Sequence, residues 1–365
     1  MDLRILSYKI RSNIEQILFF WLIAALFFLN DFEKSVAQER SGDVRKTVRI
    51  AFYNCENFFD IEDDPLTHDD EFTPEGTRHW DNRKFYQKVN HTFKVILALG
   101  NPEPPALMGL CEIENRFVLK KLVYETPLKK FDYRIIHYES PDRRGIDVAL
   151  LYRKGLFEPL YSRPVAVRFP FDTASRTRDI LYVKGLLLQK DTIHIFVNHW
   201  PSRYGGYLPT VPKRKQAALM LRNMADSILR INPGAAVLIM GDFNDGPYDE
   251  SFSLTLRAKD PAKADTLSEL YNLMLHGQKD WPYGSLKYRE GWNKFDQIVV
   301  SGNMLRRDAP LCVSENGGVI FHAPFLLEED NIYLGQRLNR TYVGLKYHGG
   351  FSDHLPVFVD VVVNE

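Results

Sequence analysis

The 365-residue chain balances 47 Lys and Arg against 47 Asp and Glu, and 45% of it is hydrophobic and 13% aromatic. Balanced charge excludes a molecule-wide attraction to nucleic acid or to an anionic membrane, so any polyanion affinity has to be local. The composition excludes a disordered chain, and the length suffices to bury a large core in one α/β domain or two smaller ones.

Residues 1–37 differ from the rest. Basic Arg4, Lys9 and Arg11 precede the unbroken apolar run Ile17 to Leu29, and Ser35-Val36-Ala37 follows, the layout of an export signal. The run is shorter than the ~17 residues at which a helix begins to span a bilayer. An uncleaved anchor through residues 17–29 is the alternative, because a long segment containing Glu15 lies ahead of the run. The expected layout is a signal peptide or signal anchor over 1–37, a linker over 38–46 and a domain over 47–365. Export to the periplasm or beyond follows from it, with membrane contact only if the anchor is retained.

Short runs of β-branched and aromatic residues predict strands at 48–53, 106–111, 133–137, 148–152, 180–188, 193–197, 235–240, 297–300 and 356–363. Helical spacing predicts helices over 82–100, 116–124 and 214–232, two of them closed by Gly100-Asn101-Pro102 and Pro233-Gly234. Residues 60–81, acidic at Glu62-Asp63-Asp64 and Asp69-Asp70-Glu71, and residues 309–350 read as long surface loops suited to wall a cleft. No repeat or composition break divides the chain after the signal, so one domain is expected. Cys55, Cys111 and Cys312 show no CxxC spacing, which points to buried thiols and not to a disulfide framework or a zinc site.

Several predicted strands end on a polar residue: Asn54, Glu112, His199, and Asp242 with Asn244 in Gly241-Asp242-Phe243-Asn244. That tetrapeptide also fits an ordinary turn. Ser352-Asp353-His354 instead precedes its strand, so an antiparallel last strand would bring all five sites to one rim. Asn54, Glu112 and Asp353 offer hard oxygen atoms suited to Mg²⁺. His354 titrates near neutrality, Asp296 can orient it, and Asp242 is left to activate water. Asp147 is either a further rim carboxylate or a solvated loop acid. Trp80, Trp200, Trp281 and Trp292 serve either as a base-stacking surface or as packing, and Lys213-Arg214-Lys215 either reaches a phosphate backbone or opens a helix in solvent.

Phe52-Tyr53-Asn54-Cys55-Glu56-Asn57, Leu110-Cys111-Glu112-Ile113-Glu114-Asn115, Asn198-His199-Trp200-Pro201-Ser202, Gly241-Asp242-Phe243-Asn244, Phe295-Asp296-Gln297-Ile298 and Ser352-Asp353-His354-Leu355-Pro356 resemble, in order, the motifs of the endonuclease/exonuclease/phosphatase superfamily, the DNase I-like fold. Roughly residues 47–363 are covered. The resemblance implies a four-layer α/β sandwich of two packed mixed sheets flanked by helices, a divalent metal, and phosphoester hydrolysis by in-line attack of water. It implies Glu112 as principal metal ligand, Asn54 and Asp353 as metal-site residues, and Asp242 with Asn244 at the nucleophile and phosphate. His354, backed by Asp296, stabilises the transition state or protonates the leaving group. His199 matches the second histidine of the DNase-like branch, and Arg178 resembles a phosphate-contacting arginine.

The expected activity is that of an exported Mg²⁺-dependent phosphodiesterase, with Mn²⁺ or Ca²⁺ as alternative ions, acting as an endonuclease on DNA or RNA. A phosphatase or phospholipase of the same fold, taking a small phosphoester or sphingomyelin, is the second reading, and an inactive binding module the third. No obligate protein partner is indicated.

Overall fold

Strands that are apolar on both faces have to be covered on both faces, and that requirement sets the layering here. The computed structural model describes residues 46–100 and 102–364. The expected export segment, the alternative anchor and all but the last residue of the linker lie outside the described residues.

In chain order the strands are β1 (Lys46–Phe58), β2 (Leu107–Ile113), β3 (Tyr133–His137), β4 (Asp147–Arg153), β5 (Phe157–Val165), β6 (Ile180–Leu187), β7 (Asp191–His199), β8 (Ala236–Asp242), β9 (Leu270–Asn272), β10 (Leu286–Tyr288), β11 (Gly291–Asn293), β12 (Asp296–Ser301), β13 (Leu311–Ile320), β14 (Leu327–Glu329), β15 (Gln336–Leu338), β16 (Tyr342–Val343), β17 (Lys346–Tyr347) and β18 (Val357–Val363). The helices are α1 (Asn82–Ala98), α2 (Arg116–Tyr124) and α3 (Tyr207–Ile231). One six-stranded sheet has the order β13-β18-β1-β2-β4-β3 and the other β5-β6-β7-β8-β12-β9.

Alternation along β8 shows how the layers stack. Ala236, Leu238 and Met240 join the core between the sheets, whereas Val237 and Ile239 face the other way, into a second core. That second core takes Ala217, Ala218, Leu221, Ala225 and Leu229 from α3, a stripe at helical spacing. On the far side, α1 and α2 lay Phe85, Val89, Ile96, Val118 and Leu122 on the first sheet. The result is the expected four-layer α/β sandwich with two mixed sheets inside.

Three differences from the sequence expectation have physical causes. β5 was not predicted because Pro159 and Pro164 break its pattern, yet it pairs only with β6, and an edge strand tolerates proline. Helix α3 starts at Tyr207 and not at Arg214, because Pro209 and Pro212 in its first turns, behind a Gly206 cap, disguise a helix start. Residues 309–350 are not one loop: they hold sheet strand β13 and the hairpins β14–β15 and β16–β17. Residues 60–81 are largely irregular but anchored, since Phe72 stacks on Phe59 at 4.3 Å and meets Trp80 and Tyr342 edge-on.

Candidate active site

Register brings the polar strand ends together. On β8, Asp242 pairs with His199 of parallel β7 on one side and Asp296 of antiparallel β12 on the other. Paired residues project to the same side, so one carboxylate is flanked by an imidazole and a second carboxylate. Gly241 is what allows this tight packing: a Cβ there would lie 2.4 Å from the Asn198 carbonyl oxygen of β7. The last strand, β18, is antiparallel to β1, so Ser352-Asp353-His354 arrives at the rim where β1 and β2 end.

Local backbone geometry aims the side chains. Glu56, Asn57, Glu112 and Asn244 all have positive φ, between 50° and 56°. Such conformations are unfavourable for residues with a Cβ and persist where surrounding contacts enforce them. The β1–β2 register shifts between Asn54 and Phe58, and the β2–β4 register shifts around Glu112, the signature of bulges that turn a side chain out of the ladder. The Asn57 N–H donates to Glu112 Oε2 at 2.8 Å, and Glu112 Oε1 accepts no hydrogen bond among the described residues.

Asp242 is the hub. Asn54 Nδ2, from the opposite sheet, donates to its Oδ2 at 3.0 Å, and the Asn244 N–H donates to Oδ1 at 3.0 Å. His199 Nε2 and His354 Nε2 lie 3.6 and 3.7 Å from the same Oδ2. Burial, and after the opposing pull of His354 the charges of Asp296 and Glu112, hold this carboxyl above its usual range.

Behind His354, Nδ1 lies 2.6 Å from Asp296 Oδ2, which also accepts from Ser285 Oγ at 2.5 Å. Burial alone would pull this imidazole down, but Asp296, Asp242 and Asp353 raise it well above the ordinary histidine value. His199 differs. Its buried Nδ1 has no hydrogen-bond partner among the described residues, and burial followed by the charges of Arg178 and Arg144 holds it well below 6.5, as a neutral ring.

Asn244 Nδ2 donates to the Trp200 carbonyl at 3.1 Å, and Arg203 holds the Asn244 carbonyl at 2.8 Å from below. Arg178 is buried, with one guanidinium nitrogen 3.1 Å from Asp142 and another 2.6 Å from the Trp200 carbonyl. Asp353 has its Oδ2 bound by Arg340 at 2.8 Å. Arg340 also reaches Glu56, whose other oxygen accepts the Thr341 N–H at 2.6 Å.

Sequence reasoning missed this last group. Glu56, Arg340 and the fully buried Lys88 form a charged layer under the rim, with Lys88 Nζ donating to Thr341 Oγ1 at 2.6 Å and the Phe351 carbonyl at 2.7 Å. A signal was present for Lys88: it falls on the buried stripe of α1 between Phe85 and Thr92, where a lysine needs a buried partner. Trp80 and Trp281 are buried in the first core and Trp200 in the second, so none forms a stacking surface, and Trp292 is partly buried against the first. His91 stacks on Phe351, His194 bonds Tyr182, and His137 Nε2 lies 3.1 Å from Asp147, which is buried.

Glu112, Asp353 and Asp242 bring carboxylate oxygens to the same rim, and Glu112 Oε1 accepts no hydrogen bond among the described residues, so the donor types are those of a hard divalent cation. Asp242, Asp296 and His354 also present mutually close ligand atoms. Their facing atoms are already used in the 2.6 Å His354–Asp296 contact, which suits proton handling better than ion binding.

No curated protein sequence matches the chain. Solved structures share its fold at low identity. An endonuclease/exonuclease/phosphatase family protein from Bacteroides thetaiotaomicron has a TM-score of 0.53 at 13% identity, over 88% of this chain and 99% of that one. Humanized D. rerio TDP2 gives 0.52 at 13% over 86% and 98%. ANGEL2, described as a 2',3'-cyclic phosphatase, gives 0.52 at 14% over 87% and 95%. Residues 49–363 match the sequence profile of the endonuclease/exonuclease/phosphatase family, and the chain therefore belongs to that family of hydrolytic phosphoesterases.

Proposed function

We propose that the chain is an exported Mg²⁺-dependent phosphodiesterase, an endonuclease acting on DNA or RNA. One observation carries the reading: a single buried carboxylate, Asp242, sits 3.6 and 3.7 Å from two imidazoles, one backed by Asp296 and the other with no partner on its far nitrogen among the described residues. In this reading Asp242 takes a proton from the attacking water, and Asn54 and the Asn244 N–H keep the carboxylate oriented. His354, charged and held by Asp296, gives its Nε2 proton to the leaving oxygen on the far side of the phosphorus. Neutral His199 and Asn244 hydrogen-bond the non-bridging oxygens. Glu112, Asn54 and Asp353 would hold the divalent ion. Bound there, it neutralises charge developing on the phosphoryl oxygens and lowers the pKa of bound water.

Balanced composition, 47 basic against 47 acidic residues, supports the second reading, a phosphatase or phospholipase working on a small phosphoester or sphingomyelin. Turnover of plasmid DNA, RNA, bis-p-nitrophenyl phosphate and sphingomyelin in Mg²⁺ separates the two, and absence of nucleic acid cleavage with Mg²⁺, Mn²⁺ or Ca²⁺ defeats the nuclease reading. If Glu112→Gln and His354→Ala left all turnover unchanged, the roles would be wrong and a binding module the better description. N-terminal sequencing of exported protein tests cleavage after Ala37 against retention of residues 17–29 as an anchor.

A further inference from the structure

A guanidinium that grips substrate phosphate has to have its donors free before substrate arrives. Of the arginines flanking the rim, Arg178 spends two nitrogens on Asp142 and the Trp200 carbonyl and its unpartnered Nε is buried away from solvent, Arg203 is bound to Asp245 and Asp249, and Arg340 is bound to Glu56 and Asp353. Arg144 is different. Its side chain is 46% exposed, it donates to Asn57 Oδ1, and its nearest carboxylate oxygen, Glu112 Oε2, is 3.8 Å away, beyond a hydrogen bond.

The backbone around Arg144 is fixed with care. Asp142 is buried; its Oδ1 accepts the Arg144 N–H at 3.0 Å and its carbonyl accepts the Gly145 N–H at 3.1 Å. Gly145 closes this turn at φ 69°, a conformation that favours glycine. The Arg143 carbonyl accepts the His68 N–H at 2.7 Å, tying the turn to residues 60–81. Arg178 holds the other oxygen of Asp142, so the chain of contacts runs from Arg178 through Asp142 to the turn that presents Arg144 beside Glu112.

We infer that Arg144 is the residue that binds the non-bridging oxygens of the substrate phosphate next to Glu112, and that Arg178 is a positioning residue acting through Asp142. The inference rests on the phosphoesterase reading above and replaces Arg178 with Arg144 as the phosphate contact. Because Arg144 stands in solvent, its substitution leaves the fold intact, whereas loss of Arg178 strands the buried Asp142 charge.

Inorganic phosphate is the probe, titrated into the full protein by calorimetry, with thermal melting as the fold control. Arg144→Ala is expected to weaken phosphate binding about 10-fold or more at an unchanged melting temperature, and to lower kcat/KM on bis-p-nitrophenyl phosphate about 10- to 100-fold. Added guanidinium should restore part of that turnover. Arg178→Met should lose phosphate affinity together with melting temperature, and Arg178→Lys, which keeps a cation on Asp142, should retain both. Equal phosphate affinity in the wild type and Arg144→Ala overturns the inference, as does loss of affinity in Arg178→Lys at full thermal stability. The titration needs no turnover, so a wild type that binds phosphate through Arg144 but hydrolyses none of the substrates defeats the functional reading and leaves this one standing.

Discussion

His354 and His199 approach one oxygen of Asp242 at 3.7 and 3.6 Å, and they differ in what stands behind each ring. His354 has Asp296 on its Nδ1 and Ser285 behind Asp296. His199 has no partner on Nδ1, and two arginines, Arg178 and Arg144, lie close enough to disfavour its charge. The chemistry facing the substrate is therefore decided one layer away from it. In the proposed mechanism two identical side chains, both buried and both near one carboxylate, serve as a proton donor and a neutral hydrogen-bond donor, because Asp296 favours charge on one ring while burial and two arginines disfavour it on the other.

That contrast can be broken by experiment. His354→Ala should cost the most, about 10³- to 10⁴-fold in kcat on a phosphodiester with a poor leaving group. The loss should shrink with a p-nitrophenyl substrate, whose leaving group needs no proton; an equal loss on both would remove His354 from the acid role. His199→Asn should cost less, about 10²-fold, because it removes one hydrogen bond to the phosphoryl group, and the cost should be the same for good and poor leaving groups.

Smaller effects should appear in stability against pH, with opposite signs. His354 has a folded pKa raised above its unfolded value, so its pairing stabilises fully below about 6.5 and is lost as pH rises through the raised value. His199 has a depressed folded pKa, so its contribution is present above about 6.5 and is lost as pH falls toward the depressed value. Melting temperatures between pH 5 and 9, on the scale where imidazoles titrate, should show His354→Gln flattening the alkaline side and His199→Gln the acid side. A shared slope in both variants would mean that the rings are not differently charged. The smallest change is Ser285→Ala, worth about 2 kcal/mol in denaturant unfolding as two buried hydrogen bonds with Asp296, to its carboxylate and from its N–H, are lost. With Asp296 less restrained, the alkaline limb of the kcat profile should move to lower pH.

Much of this site was legible in the sequence because strands end where their apolar runs end. Asn54, Glu112, His199 and Asp242 each follow such a run, and Asp353-His354 precede one, so an antiparallel β18 was enough to bring them to one rim. The partner of His354 could be chosen because Asp296 opens an apolar run and matches a motif of the family, and that run pairs with β8 in the structure. What the residue types did not reveal is which charges are already spent. Arg178 and Arg144 look alike on paper, but one is enclosed with Asp142 and the other stands in solvent. Glu56 and Arg340 were invisible for a related reason, and Lys88 showed only as a lysine on a buried helical stripe, with no partner in view. They come from β1, from α1 and from the segment before β16, and only tertiary packing makes a layer of them.

One topological feature reaches beyond catalysis. The strand led by Asp353 and His354 is the last of the fold, and it inserts between β1, the first strand, and β13. A chain emerging from the ribosome has Asn54, Glu112, His199 and Asp242 well before it has His354. Until β18 docks, Asp296 has no imidazole to hold and the rim has no Asp353. Closure of the rim therefore waits on a pairing between the two ends of the described fold, Lys46 with Val363, a contact of very long sequence separation that forms late and slowly.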